Sequence, residues 1–187
     1  MKVELIDLKS RYKSEKKEIF KSLNKVFKKG HLVLTNELEE FEHQICKYTN
    51  RKFCLGVNSG TDALMMSLWS SGIKKGDEVI TSPISFVASA NSIIHIGAKP
   101  VFVDVGNDLN INPDLIEAAI TKKTKAIMPV HWTGRVSNMD KIVKIAKKHN
   151  LAIIEDAAQA MGAFFKNKHA GSFGKISGFS AHPFKNL

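Results

Sequence analysis

Residues Lys125 to Gln159 read KAIMPVHWTGRVSNMDKIVKIAKKHNLAIIEDAAQ, and this stretch decides the fold class. KAIMPV (125–130) and LAIIE (151–155) are short apolar runs without polar alternation, the pattern of strands buried on both faces. A helix near 138–149 lies between them. A helical crossover from one buried strand to the next makes the two strands parallel.

The alternation extends outward from this unit. Upstream, FCLGV (53–57) reads as a strand, TDALMMSLWSSG (61–72) as a helix and EVITS (78–82) as a strand. FVASANSIIHIG (86–97) follows as a helix ending in glycine, then PVFVDV (100–105) as a strand. NPDLIEAAI (112–120) starts a helix, with Asn112 as N-cap and Pro113 in the first helical position. Downstream, ISGFS (176–180) is a last short strand. Two amphipathic helices open the chain. One covers 10–29 and ends at Gly30; the other covers 36–49, with Leu38, Phe41, Ile45 and Tyr48 on one face. The expected fold is α/β: a mostly parallel sheet with helices on both faces, preceded by an N-terminal helical arm over 1–30.

The 187 residues, 43% apolar and 25% charged, suffice to bury one core. No apolar run approaches the ~18 residues that suggest a membrane span. The opening MKVELIDLKSRYKSEKKEIF has no signal-peptide core, so a cytoplasmic protein without membrane attachment is expected. Cys46 and Cys54 form no C-x-x-C motif and have no His pair at zinc spacing. They read as buried, reduced thiols, and no metal site is expected. The net charge is +10, but residues 1–30 alone carry ten basic and four acidic groups, or +6. Lysines there surround an apolar stripe of Ile19, Leu23, Val26 and Phe27, as on a solvated amphipathic helix. With only three arginines in the chain, nucleic-acid binding is disfavoured.

In open α/β sheets, sites lie at the carboxyl ends of the strands. NSGTDAL (58–64) follows the first expected strand. Gly60 permits close backbone approach and Thr61 brings a hydroxyl to a helix start, where free N–H groups and the helix dipole favour phosphate. The bland alternative is a plain cap by Ser59 or Thr61, with Asp62 in the first turn. Phe86, after the strand at 78–82, is either a stacking surface for a planar ring or a core residue. Glu155 and Asp156 end an apolar strand, where carboxylates are costly unless paired. Asp156 suits a protonated pyridine nitrogen, and Gln159 the ring's substituents; a helix cap or salt bridge is the alternative. Lys185 has no other Asp, Glu, Lys or Arg from Ile176 onward, while Ser180 supplies a hydroxyl five residues before it. A lysine among apolar neighbours is a usable amine nucleophile; otherwise it is one more surface lysine. Taken together, a phosphate cradle, a stacking ring, a carboxylate and a reactive amine fit pyridoxal 5′-phosphate.

The motifs NSGTDAL, SFVASAN, KPVFVDV, PVHWTGR, IIEDAAQAMGA and GFSAHPFKNL, in this order, resemble the N-terminal half of the DegT/DnrJ/EryC1/StrS family of PLP-dependent nucleotide-sugar aminotransferases. The resemblance runs from about Leu32 to the end. It implies the aspartate aminotransferase fold, with residues 31–187 as part of its cofactor-binding large domain. It also implies that Lys185 is the lysine joined covalently to the cofactor, and that Ser180, Gly60 and Thr61 hold its phosphate. Phe86 corresponds to the aromatic stacked on the ring, Asp156 to the partner of the pyridine nitrogen and Gln159 to the contact with the cofactor hydroxyl. The implied substrates are a keto-sugar nucleotide and an amino donor, usually glutamate, and the implied assembly is a homodimer. Ala181 stands where family members more often carry a larger residue. Sugar dehydratases of the same family carry histidine in place of the lysine, so Lys185 favours the aminotransferase. The family continues well past this lysine, so the expectation is a truncated chain, with a catalytically incompetent fragment as the alternative.

Overall fold

The structure, a computed structural model, describes residues 6–185. Helix α1 (Leu8–Lys29) is capped by Asp7, whose side chain accepts from the Ser10 N–H, and stops at Gly30 in the left-handed conformation, φ 70°. Helix α2 (Asn36–Thr49) follows, then α3 (Gly60–Ser70). The alternating part runs β1 (Glu78–Thr81), α4 (Ala88–His95), β2 (Lys99–Phe102), α5 (Pro113–Ile116), β3 (Thr124–Met128), α6 (Met139–Lys148) and β4 (Ala152–Asp156). A small hairpin, β5 (Phe164–Phe165) with β6 (Lys168–His169), precedes β7 (Ile176–Gly178).

Five strands form one sheet in the order β2-β1-β3-β4-β7, with every neighbouring pair parallel. The apolar runs lack polar alternation because both faces are covered. Val79, Met128 and Ile154 pack with Leu64 and Leu68 of α3 and Ile93 of α4. Their sequence neighbours Ile80, Ile127 and Ile153 pack with Ile116, Met139 and Ile142 of α5 and α6. Successive strand residues point to opposite faces, so each pair supplies one side chain to each layer. Burying each such side chain stabilises the fold by roughly 1.5–3 kcal/mol.

Most expected elements are present with ends shifted by one to three residues. Asn112 caps α5 by accepting from the Asp114 N–H, with Pro113 in the first turn as read. That helix lasts only four residues before tightening into a 3₁₀ turn at Glu117–Ala119. The expected strand at 53–57 is absent. These residues pair with no strand among the described residues, and Phe53 and Leu55 are 80% and 75% exposed. A β-rich composition makes a strand only where a ladder partner lies alongside, and β7 is the last strand on its side of the sheet. The β5–β6 hairpin escaped the sequence reading. Its turn residues, Lys166 and Asn167, both take positive φ, the geometry usually signalled by Asn-Gly or Asp-Gly. Cys46 and Cys54 are free thiols, but half-buried rather than buried. Among the described residues no helix is long and apolar enough to cross a membrane.

Candidate active site

Strand β4 delivers two adjacent carboxylates to opposite faces of the sheet, and the faces differ. Glu155 meets His131, in the turn after β3, with Nε2 3.0 Å from Oε2. The Ser137 N–H donates to His131 Nδ1 at 3.2 Å, which leaves the ring hydrogen on Nε2, facing Glu155. Glu155 also accepts from the backbone N–H groups of Gly171 (2.8 Å), Phe173 (2.7 Å) and Gly174 (2.6 Å). Burial pushes its pKa up, but the His131 bond and the backbone amides outweigh burial and lower it.

Asp156 lies on the other face, against the first turn of α4. The Ser89 hydroxyl donates to its Oδ2 at 2.6 Å and the Ala158 N–H to its Oδ1 at 3.2 Å. Burial dominates here and raises the pKa, against the opposing pull of Ser89, the Ala158 amide, and the charges of His131 and Lys185. The Lys185 amine sits 5.8 Å from the centroid of the Phe86 ring. Phe86 is 62% exposed, so it is no core residue and leaves ring surface open beside that amine.

The remaining candidates gather where α3 starts. Ser59 is the cap: its hydroxyl accepts from the Asp62 N–H at 3.1 Å. The Gly60 and Thr61 N–H groups therefore have no hydrogen-bond partner among the described residues. A side chain at Gly60 would bring its Cβ to 3.0 Å from the Ser180 Cβ and 3.3 Å from the Ser180 hydroxyl. Glycine there lets the helix start close on the chain leaving β7, which puts two free amides beside a hydroxyl. The segment beyond is braced by a turn, Lys185 N–H to His182 C=O at 2.8 Å. It is also tied to α1 by the Arg11 guanidinium, which donates to the Pro183 carbonyl at 3.2 Å. Gln159 is engaged elsewhere: its Oε1 accepts from the Thr133 N–H at 3.0 Å, on the turn Trp132–Gly134.

The fold thus joins Gly60 to Ser180 and Phe86 to Lys185, whose charge acts on Asp156, while Gln159 bonds the Thr133 turn. The sequence reading missed Ser85, Ser89 and His131. Ser85, Ser89 and Ser92 do stand four and three residues apart in the quoted SFVASAN segment and just beyond it, a helical stripe of hydroxyls.

The fold is that of a PLP-dependent transferase large domain, present in part. DesV of S. venezuelae, solved in complex with a ketimine intermediate, superposes with a TM-score of 0.95 at 39% identity over 99% of this chain and 50% of its own. NtdA of Bacillus subtilis, solved with bound cofactor PMP, gives 0.87 at 37% identity over 93% of this chain and 39% of its own. The chain belongs to the DegT/DnrJ/EryC1/StrS aminotransferase family, whose model matches residues 13–187. A pleiotropic regulatory protein of Geobacillus stearothermophilus is 43% identical over all of this chain and 50% of its own length. A UDP-2-acetamido-2-deoxy-3-oxo-D-glucuronate aminotransferase of Pseudomonas aeruginosa is 38% identical over 99% of this chain and 52% of its own. The chain spans about half the length of the curated relatives it matches.

Proposed function

We propose that this chain is the cofactor-holding part of a pyridoxal 5′-phosphate-dependent aminotransferase. The whole enzyme, a cytoplasmic homodimer, transfers an amino group from glutamate to a keto-sugar nucleotide in amino-sugar and cell-surface polysaccharide synthesis. One observation carries the reading: the Lys185 amine stands 5.8 Å from the centroid of the exposed Phe86 ring, in a fold whose strand β4 ends in the buried Asp156 carboxylate.

The donor set fits the cofactor at each of its ends. Two free amides at the start of α3 and the Ser180 hydroxyl suit a phosphate, where the helix dipole adds a favourable field. The exposed Phe86 ring suits stacking. Asp156 is a buried acceptor suited to a positively charged ring nitrogen, and that charge would relieve the desolvation that raises its pKa. Bound there, pyridoxal 5′-phosphate supplies an aldehyde for imine exchange and a ring that withdraws electrons. In this reading Lys185 Nζ takes a proton from the donor's Cα and returns it, as a general base and acid. Gln159, whose Oε1 accepts from the Thr133 N–H, is read as the contact with the cofactor hydroxyl. The sugar-nucleotide substrate is carried over from relatives such as the P. aeruginosa enzyme.

The test is direct. The chain is mixed with pyridoxal 5′-phosphate, reduced with borohydride, digested and mapped. The expected result is a pyridoxyl label on Lys185 that is lost in Lys185→Ala. A label confined to other lysines overturns the assignment.

A further inference from the structure

Asp156 is gripped by a chain of two hydroxyls that the proposed chemistry above leaves without a role. Ser89 is buried in the first turn of α4, its Oγ 2.6 Å from Asp156 Oδ2. Ser85 Oγ lies 2.5 Å from Ser89 Oγ. Proton counting gives the chain a direction. When Asp156 is ionised it only accepts, so the single Ser89 hydrogen then points to Asp156. Ser89 has no second hydrogen to offer, so Ser85 must donate to it. The turn that carries Ser89 is itself held, because the Ser92 hydroxyl donates to the Ser89 carbonyl at 2.9 Å. On the other carboxylate oxygen sits the Ala158 N–H. Each oxygen thus has one donor, which sets the carboxylate plane and leaves one lone-pair direction on each for a further donor.

We infer that Ser85 and Ser89 form a directed hydroxyl chain that fixes the Asp156 carboxylate in one rotamer and favours its ionised form against the surrounding desolvation, making Ser89 a positioning residue for the ring-nitrogen contact. The ring-nitrogen part rests on the cofactor reading; the hydroxyl chain itself does not. Charged or titratable groups that act on Asp156 are His131, from the turn after β3, and Lys185. His131 gives its ring hydrogen to Glu155 on the opposite face, and Lys185 becomes engaged when it carries the cofactor. That leaves Ser89 as the side-chain donor that stays on Asp156 throughout, beside the Ala158 N–H. A hydrogen bond to a charged acceptor in a buried site is among the stronger ones a protein makes.

The experiment uses the full 187-residue chain carrying ¹³C-labelled aspartate, as wild type, Ser89→Ala, Ser89→Thr and Ser85→Ala. The carboxyl resonance of Asp156 is followed against pH without cofactor, and pyridoxal 5′-phosphate affinity is measured separately. Ser89→Ala is expected to titrate at higher pH than wild type and Ser85→Ala to shift the same way by less. Ser89→Thr, which restores the hydroxyl, is expected to return to the wild-type curve. Loss of the Ser89 hydroxyl should weaken cofactor binding about tenfold. A folded Ser89→Ala chain that titrates with wild type overturns the inference. If Ser89→Ala does not fold by circular dichroism, an unshifted Ser85→Ala curve overturns it instead. A wild-type chain that takes no cofactor, while Ser89→Ala still shifts the titration, sinks the cofactor reading and leaves the hydroxyl chain standing.

Discussion

Glu155 and Asp156 are adjacent in the chain and opposite in their electrostatics. Glu155 has a folded pKa below its ordinary value, so it adds stability above that value, and the gain is lost as pH falls through the folded pKa. Asp156 is raised, so the fold prefers its neutral form. Its contribution is present below the ordinary value near 3.8 and declines as pH rises through the folded pKa. Asp156→Asn is therefore expected to raise the thermal midpoint of the cofactor-free chain at neutral pH. The same change should weaken pyridoxal 5′-phosphate binding, a trade of stability against function that calorimetry and a binding titration would read together. Gly60→Ala is expected to weaken cofactor binding with little change in helix content. Its Cβ would stand 3.0 Å from the Ser180 Cβ and push the helix start off the hydroxyl. Fluorescence titration with the cofactor checks this, and unchanged affinity rules the close approach out as a requirement.

At the scale of elements, β4 is the organiser. Its Glu155 side chain binds three amides of the 171–174 loop, which leads into β7, and meets the ring of His131, which follows β3. One carboxylate thus ties together three consecutive positions of the sheet. Glu155→Ala would leave the buried His131 N–H and the loop amides unsatisfied, and is expected to cost about 3 kcal/mol in a denaturant melt. A loss no larger than at an exposed glutamate such as Glu18 would show that the loop does not depend on it. Legibility also varies at this scale. The start of α5, with its Asn112 cap, and the end of α1, with its Gly30 stop, are readable because these signals are local. The 53–57 segment was misread because strand formation needs a neighbour that composition does not reveal. The β5–β6 hairpin was invisible because Lys166 and Asn167 take left-handed conformations without the usual glycine.

For the whole molecule, the distribution of apolar surface matters most. Helix α1 buries none of its residues, and Phe20 and Phe27 are exposed along it. Phe53 and Leu55, outside any helix or strand, add exposed apolar surface, and β7 is the last strand at one side of the sheet. Exposed apolar patches and open edges drive association. The chain is expected to self-associate with rising concentration in sedimentation velocity. The paired change Phe53→Lys and Leu55→Lys should reduce this without altering the circular dichroism spectrum. A wild-type chain monomeric across the whole range would contradict it.

The chain's own order determined the α/β class, the parallel strands and the set of candidate groups at their carboxyl ends. Apolar runs, helix caps and residue types are local properties that survive without coordinates. Only the tertiary structure decided which of two neighbouring carboxylates meets α4 and which meets His131, because strand alternation assigns faces but packing assigns their contents. It also brought Ser85 and Ser89 to Asp156, residues separated from it by about seventy positions and joined to it only across the helix–sheet interface. Hydrogen bonds of that kind depend on distances of a few tenths of an ångström, which residue order alone does not encode in readable form.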